Sequence, residues 1–441
     1  MDLDECLAAA EADAPSLKTA RLSLDNAAAQ LSLSLGAEGL TLGGKGSYFH
    51  EGDLPGFAPS VSSSSLTTSG SGVVGDNVQA GLSLSGPSTS LDLSALQGIA
   101  AGGAQSTTLS ISGSQVVYDG FPGGRPAGIS SQARHSYRIA QVAYEAALKS
   151  LVYQVKQAYY TLLADQHTLV ARQATLKQAQ EELAQIQGFF AAGRATKLDV
   201  LQVQVALTQA QLDLRSAQNS IETDMKRLSL AVGWPLRRAY TAAEVPAPAL
   251  PQTDSAQALD TAFSNRAELK TLDLQIAYAG LDLTLQKSQY APSVSVDGSL
   301  GFGADWTGAS SGGGTFSAGV TVALPPIYDG KRQASLLRQK SDQVDSYRVQ
   351  RDEMLQSITI DVSDALFSVN DSSDRLALAR QNLEQAQGVY DLQKEKFTLG
   401  SATTLDVMTA FSALAAAQVG LEQAKSTYNL AVLNLYNVMG L

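Results

Sequence analysis

The sequence predicts a mixed α/β membrane protein in which long antiparallel coiled-coil helices are joined to the strands of a transmembrane β-barrel, with the plan written twice. Three observations carry that reading. Residues 155–233 recur without a gap at 362–440, an offset of 207 fixed by Gly193 and Gly400 (400 − 193). Within each copy apolar residues return every seven positions, the spacing of helices joined along narrow knobs-into-holes seams. Elsewhere, segments of about ten residues alternate apolar side chains with Ser, Thr and Gly, as strands do with lipid on one face and water on the other.

Residues 1–38 read as an N-terminal helix, and 39–120 as a first β-hairpin with a long Ser/Gly-rich loop. One strand lies near Leu40 to Phe49; in the other, Leu109, Ile111 and Val117 oppose Thr108, Ser110, Ser112 and Ser114. Between them, at about 58–104, come Ser62-Ser63-Ser64-Ser65 and Ser69-Gly70-Ser71-Gly72. Alternation at Val78, Ala80, Leu82 and Leu84 leaves two readings open there, an extra hairpin or a flexible loop.

The first long helical hairpin occupies 121–233, with Val155, Leu162, Leu169, Leu176, Leu183 and Phe190 before its turn and Val200, Leu207, Leu214, Ile221 and Leu228 after it. A Pro/Ala-rich connector at 234–257 leads to a helix at 258–290 that opens the second repeat. The second β-hairpin spans 291–329. In it Val294, Val296, Leu300, Phe302, Ala304 and Trp306 oppose Ser293, Ser295, Asp297, Ser299 and Asp305, while Phe316, Ala318, Val320, Val322 and Leu324 oppose Thr315, Ser317, Gly319 and Thr321. The second long helical hairpin, 330–441, repeats the heptads at Val362, Val369, Leu376, Leu383, Tyr390 and Phe397, then at Val407, Leu414, Leu421, Tyr428 and Leu435. Ala410, Ala417, Ala424 and Ala431 line a second seam, where small side chains let backbones approach closely. The nearly unbroken helix from Gly330 to Gly400 spans roughly 100 Å at a rise of about 1.5 Å per residue.

The duplication reaches beyond the long helices. Leu17-Lys18-Thr19 answers Leu269-Lys270-Thr271 at an offset of 252 (269 − 17), and Tyr118-Asp119-Gly120 answers Tyr328-Asp329-Gly330 at 210 (328 − 118). The first β-hairpin is therefore longer by 42 residues (252 − 210). Long loops on one side are a feature of outer-membrane barrels. Tyr48, Phe49, Tyr118, Tyr290, Trp306 and Tyr328 stand near strand ends, where an interfacial aromatic belt would place them.

Composition narrows the function classes. A net charge of −11 argues against a nucleic-acid partner. No apolar run approaches the roughly 20 residues of a membrane-spanning helix, which leaves a barrel as the way across a bilayer. The acidic start Met1-Asp2-Leu3-Asp4-Glu5 reads as a mature form carrying an added methionine. Cys6 is the single cysteine, so there is no internal disulfide, and without a lipoprotein-type signal before it it reads as a plain helical residue. His50, His135 and His167 are scattered without metal-ligand spacing. Gly312-Gly313-Gly314 has no following Lys-Ser/Thr and reads as turn glycine. No catalytic residue, cofactor or metal site is expected; the chain does not read as an enzyme.

The order of these elements resembles the TolC-like outer-membrane efflux family over nearly the whole chain. The matching points are Tyr118-Asp119-Gly120, the twice-used turn Gly-x-Ala-Thr-x-Leu-Asp-Val (193–200 and 400–407), Val232-Gly233-Trp234 and Asn265-Arg266-Ala267-Glu268-Leu269. The resemblance implies a homotrimer in the outer membrane of a Gram-negative bacterium, four strands per subunit, with a periplasmic α-helical barrel joined to one shared β-barrel. Physics agrees that four strands cannot close alone, because two unpaired edges would face lipid. It further implies a periplasmic adaptor (membrane fusion protein), an inner-membrane pump, and contact with outer-membrane lipid. The connector joins an equatorial belt, and the channel exports small molecules or proteins, the substrate being chosen by the pump.

Site residues follow from the same resemblance. Asp406 matches an acidic ring at the channel entrance, with Asp199 its repeat counterpart; both also sit where a carboxylate favours a helix N-terminus. Thr409 stands where some relatives are acidic, Phe397 where some carry a gate tyrosine, and Ala402 where some carry a gate arginine. The tips Gly193, Arg194, Ala195 and Thr196, with Gly400, Ser401, Ala402 and Thr403, match the adaptor-docking surface. A soluble periplasmic coiled-coil adaptor or structural protein is the alternative, but it has no need of alternating strands with aromatic ends.

Overall fold

The computed structural model describes residues 2–36, 39–51, 75–86, 88–100, 105–236, 240–250, 254–305, 311–325 and 331–441. They fall into two compact units: Met1–Leu24, Ala140–Asp273 and Val349–Leu441 form one, and Asp25–Ile139 with Leu274–Arg348 the other.

The expected N-terminal helix is two helices, α1 (Leu3–Asp13) and α2 (Pro15–Gly36). Pro15 lacks an N–H and crowds the residue before it, so Ala14 leaves helical geometry at φ −58°, ψ 125°. The second copy breaks at the matching point, where Arg266 (φ −63°, ψ 123°) separates α5 (Ser255–Asn265) from α6 (Ala267–Ser288).

Two helices of 67 residues, α3 (Arg125–Ala191) and α7 (Arg332–Thr398), turn back into α4 (Lys197–Val232) and α8 (Thr404–Val438). In the helical unit burial repeats the duplication. Cys6, Ala10, Leu17, Leu151, Val155, Leu162, Leu228 and Val232 belong to one core. Ala258, Ala262, Leu269, Ile358, Val362, Val369, Leu435 and Met439 belong to another, each related to its counterpart by 252 in the short helices (258 − 6) or 207 in the long ones (358 − 151). Matching glycines close both. Gly233 (φ 86°) brings its backbone against Asp13, whose carbonyl oxygen would lie 2.8 Å from an added Cβ, and Gly440 (φ 73°) does the same against Asn265 at 3.1 Å. Cys6 is fully buried in this packing, and burial pushes its thiol up to about 11, which suits a structural residue.

Helix α8 holds an 18-residue window of mean hydropathy 1.3, long and apolar enough to cross a membrane. This corrects the reading that no such run exists. Many of its apolar residues are core: Val407, Phe411, Leu414, Val432 and Leu435 are buried against other helices.

The second unit carries one antiparallel sheet in the order β1 (Thr41–Glu51), β2 (Gly75–Ser85), β3 (Thr89–Ala100), β4 (Gln105–Tyr118), β5 (Ser293–Asp305), β6 (Ser311–Ala323). The expected four strands become six. The added pair, β2 and β3, occupies the stretch left open between hairpin and loop, and its alternation lets it extend both faces of the sheet; residues 58–74, 87 and 101–104 of that stretch lie outside the described residues. Register makes the faces explicit. One row runs Gly44, Leu82, Leu93, Ile111, Leu300, Phe316 across all six strands, and the next row on the other face runs Gly43, Ser83, Asp92, Ser112, Ser299, Ser317. Hydroxyls pair across that polar face, with Ser94 and Ser110 at 2.7 Å, Ser90 and Ser114 at 2.9 Å, and Ser299 and Ser317 at 2.7 Å.

The Tyr118-Asp119-Gly120 motif ties sheet to helix. Asp119 accepts from the Phe121 N–H at 3.2 Å and the Arg125 N–H at 2.5 Å, capping α3. Gly120 (φ 83°) passes so close to the end of α6 that a Cβ would lie 2.7 Å from the Ser288 carbonyl oxygen and 2.4 Å from the Cβ of Ala291 just beyond it.

Candidate functional site

Both long hairpins end in the same turn, built from glycine in the left-handed region. Gly193 (φ 71°) donates to Phe190 O at 3.0 Å and Arg194 N to Phe189 O at 2.7 Å. Gly400 (φ 76°) donates to Phe397 O at 3.0 Å and Ser401 N to Lys396 O at 2.9 Å. These are paired Schellman closures. A Cβ on either glycine would meet nothing within 4 Å, so only backbone conformation requires glycine there.

Each returning helix opens with a reciprocal cap. Asp199 accepts from the Thr196 N–H at 2.7 Å and hydroxyl at 2.6 Å, and its own N–H donates to the Thr196 hydroxyl at 3.2 Å. Asp406 and Thr403 repeat this at 2.8, 2.6 and 3.3 Å. Hydrogen bonds from the threonine hydroxyl and N–H hold both carboxyls below their ordinary range. The copies then differ. Asp199 is half-buried and Thr404 of the other tip stands close enough to help lower its pKa, whereas Asp406 is exposed. Thr404, itself 4% exposed, stands where the first copy has Lys197.

The tips pack on one another. Ile186, Val203, Val407, Met408, Phe411 and Leu414 form a core that Ala195 and Phe397 join from its margin. The Phe189 and Phe397 rings lie 5.8 Å apart, and the Arg194 guanidinium sits 5.2 Å over the Phe189 ring. Thr409 is exposed and spends its hydroxyl on Leu405 O at 2.8 Å.

Just behind this core is a polar cluster that sequence reasoning missed. Glu182 of α3, 4% exposed, accepts from the Tyr390 hydroxyl of α7 at 2.6 Å and faces Lys394 Nζ at 3.3 Å. Burial and the bond to Glu182 raise the Tyr390 pKa. For Lys394 burial is the largest single influence and works the other way, but the charges of Glu182 and Tyr390 and the hydrogen bonds to them together outweigh it, and the pKa ends raised. The signal was a break in the repeat: Glu182, Tyr390 and Lys394 answer Val389, Leu183 and Gln187 at the offset of 207.

A family model described as outer membrane efflux protein matches residues 74–234 and again 258–441, most of the chain and both copies. The chain belongs to the outer membrane efflux protein family. That membership places it in the outer membrane, reaching into the periplasm. It is 28% identical over 56% of its length to the outer membrane efflux protein BepC of Brucella suis, 25% over 57% to the pyoverdine export outer membrane protein OpmQ of Pseudomonas aeruginosa, and 24% over 70% to the outer membrane protein TolC of Vibrio cholerae. The chain spans about half the length of the first two, 54% and 52%, and 72% of the third. Its fold resembles the outer membrane protein VceC of Vibrio cholerae (TM-score 0.75, 18% identity, 99% of this chain and 96% of that one). It also resembles the outer membrane channel MtrE of Neisseria gonorrhoeae (TM-score 0.73, 17% identity, 99% and 88%).

The sheet presents the second candidate surface. Tyr118 is 51% exposed at the helix-proximal end of β4, and Phe302 and Phe316 are exposed on the apolar face at 55% and 75%. Tyr290 is half-buried in the turn before β5. By register Tyr48 pairs with Val78 and Phe49 with Asn77, and the side chains of these two lie outside the described ones. Trp306 and Tyr328 lie outside the described residues altogether.

Proposed function

We propose that this chain is one subunit of a trimeric outer-membrane exit duct that, with a periplasmic adaptor and an inner-membrane pump, exports small molecules or proteins; it transports and carries out no catalysis. The supporting observation is one sheet with a continuous exposed apolar face and two open edges, β1 and β6, carried by the same chain as two long helical hairpins. In lipid those edges need partners, and further copies of the chain supply them. A soluble adaptor would have no reason to expose Leu82, Leu300, Phe316 and Val320 together.

In this reading residues 234–257 are the connector of an equatorial belt, and the tips from Gly193 to Thr196 and from Gly400 to Thr403 receive the adaptor. Asp406, exposed and ionised, lines the entrance in three copies, where summed negative potential concentrates cations. Asp199, beside Thr404, contributes less. The test is export in the native host: deleting the gene should cause cells to accumulate a fluorescent efflux dye, and the intact gene should reverse it. Unchanged accumulation, with protein that leaves the membrane fraction without detergent, would contradict the proposal.

A further inference from the structure

The inserted hairpin changes the size of the duct. We infer that β2 and β3 lie in the membrane wall itself, so that three subunits of six strands build an eighteen-strand barrel instead of a twelve-strand one. This rests on the trimeric reading above.

Four observations place the hairpin in the wall. First, β1 pairs with β2 and β3 with β4, so β1 reaches the rest of the sheet only through the hairpin. Removing it from the wall would break both ladders along their length. Second, its apolar residues lie at the levels of those in the expected strands: Leu82 and Leu93 continue the row of Ile111, Leu300 and Phe316. Val78, Leu82, Leu91 and Leu93 are 47, 54, 45 and 38% exposed, which is favourable against acyl chains and unfavourable in water. Third, β2 and β3 are 11 and 12 residues long, enough for a tilted strand to cross the bilayer, which takes about 9–11 residues.

Fourth, connection lengths follow the rule for such barrels, with short turns on the periplasmic side and longer loops outside. The β2–β3 turn, closed by Gly86 N donating to Thr89 O at 2.7 Å, lies at the end of the sheet where β4 runs into α3. At the opposite end, where Glu51 pairs with Gly75, 23 residues (52–74) separate β1 from β2 in the chain. Adding two strands also keeps the number even, so β6 of one subunit still meets β1 of the next antiparallel.

Barrel diameter grows roughly linearly with strand number, so the lumen widens about 1.5-fold and its cross-section about 2-fold. Its polar lining gains Asp92 from the hairpin beside Asp297 and Asp305, a surface suited to bulky hydrated or cationic cargo.

The experiment is nitroxide labelling at single cysteines in a Cys6→Ala background, alanine being the residue the second repeat carries there as Ala258. The labels are read in liposomes by collision with oxygen and with an aqueous nickel complex. Labels at Leu82→Cys and Leu93→Cys should favour oxygen, and those at Ser83→Cys and Ser94→Cys the nickel complex, matching the control pair Leu300→Cys and Ser299→Cys. If all four hairpin labels favour nickel while the control pair alternates, the hairpin stands outside the wall and the inference fails, although the barrel reading survives. If the control pair also fails to alternate, the barrel reading falls and takes the inference with it.

Discussion

Two buried carboxylates break the repeat, and each couples stability to chemistry that its counterpart lacks. Glu182 is held by Tyr390 and Lys394 across α3 and α7. Tyr390→Phe removes a charge-assisted hydrogen bond and should lower thermal stability of the helical unit by about 1.5–3 kcal/mol; a melt followed by circular dichroism checks this, and an unchanged melting temperature would assign the cluster no structural weight. Asp224, 5% exposed, sits in the small-residue seam where the second copy has Ala431. Burial first, then the hydrogen bond that a protonated Asp165 donates to Asp224 and the charge of Asp224, push Asp165 up to about 6. A carboxyl with a raised folded-state pKa binds more protons folded than unfolded, so it costs stability as pH rises from about 4 through 6. Asp165→Asn should therefore stabilise the protein at pH 7.5, by roughly 1 kcal/mol once solvent screening is allowed for. The gain should vanish by pH 4, and one that persists there would rule out the titration.

At the scale of elements, the helices were largely legible and the sheet only half so. Heptads at Val155, Leu162, Val362 and Val369 announced α3 and α7 because a seven-residue spacing sustained over many turns has few other meanings. Pro15 marked the break between α1 and α2, yet a mostly helical pattern on both sides hid it. The β2–β3 hairpin stayed open because Ser, Gly and alternating Leu serve a loop and a barrel strand equally until pairing partners are known. The cross-tip contacts were not legible at all, since nothing in a sequence says that Thr404 meets Asp199. Two glycine substitutions separate the roles of the turns. Gly193→Ala should cost only left-handed strain, about 1–2 kcal/mol, whereas Gly233→Ala adds a clash with the Asp13 carbonyl and should cost roughly 3 kcal/mol or more; equal melting temperatures would refute the close approach. At the proposed docking surface, Ala195→Trp with Ala402→Trp should abolish export and leave assembly intact. Export that survives both changes would move the adaptor to the sides of the tunnel.

At the scale of the molecule, every functional proposal depends on one property: the six-stranded sheet has open edges and an apolar face, and a single chain satisfies neither in lipid. Closure by copies of the chain meets both needs at once. In the proposed trimer one exposed Asp406 becomes three, and the entrance charge follows from that symmetry. Asp406→Asn should weaken cation selectivity and block by multivalent cations in single-channel recordings, and unchanged recordings would confine Asp406 to capping α8. The most direct measurement of the whole account is the mass of the detergent-solubilised particle by native mass spectrometry after extraction from membranes. The account predicts one species at three times the chain mass that needs detergent to stay in solution. A monomer that remains monodisperse in plain buffer would contradict it.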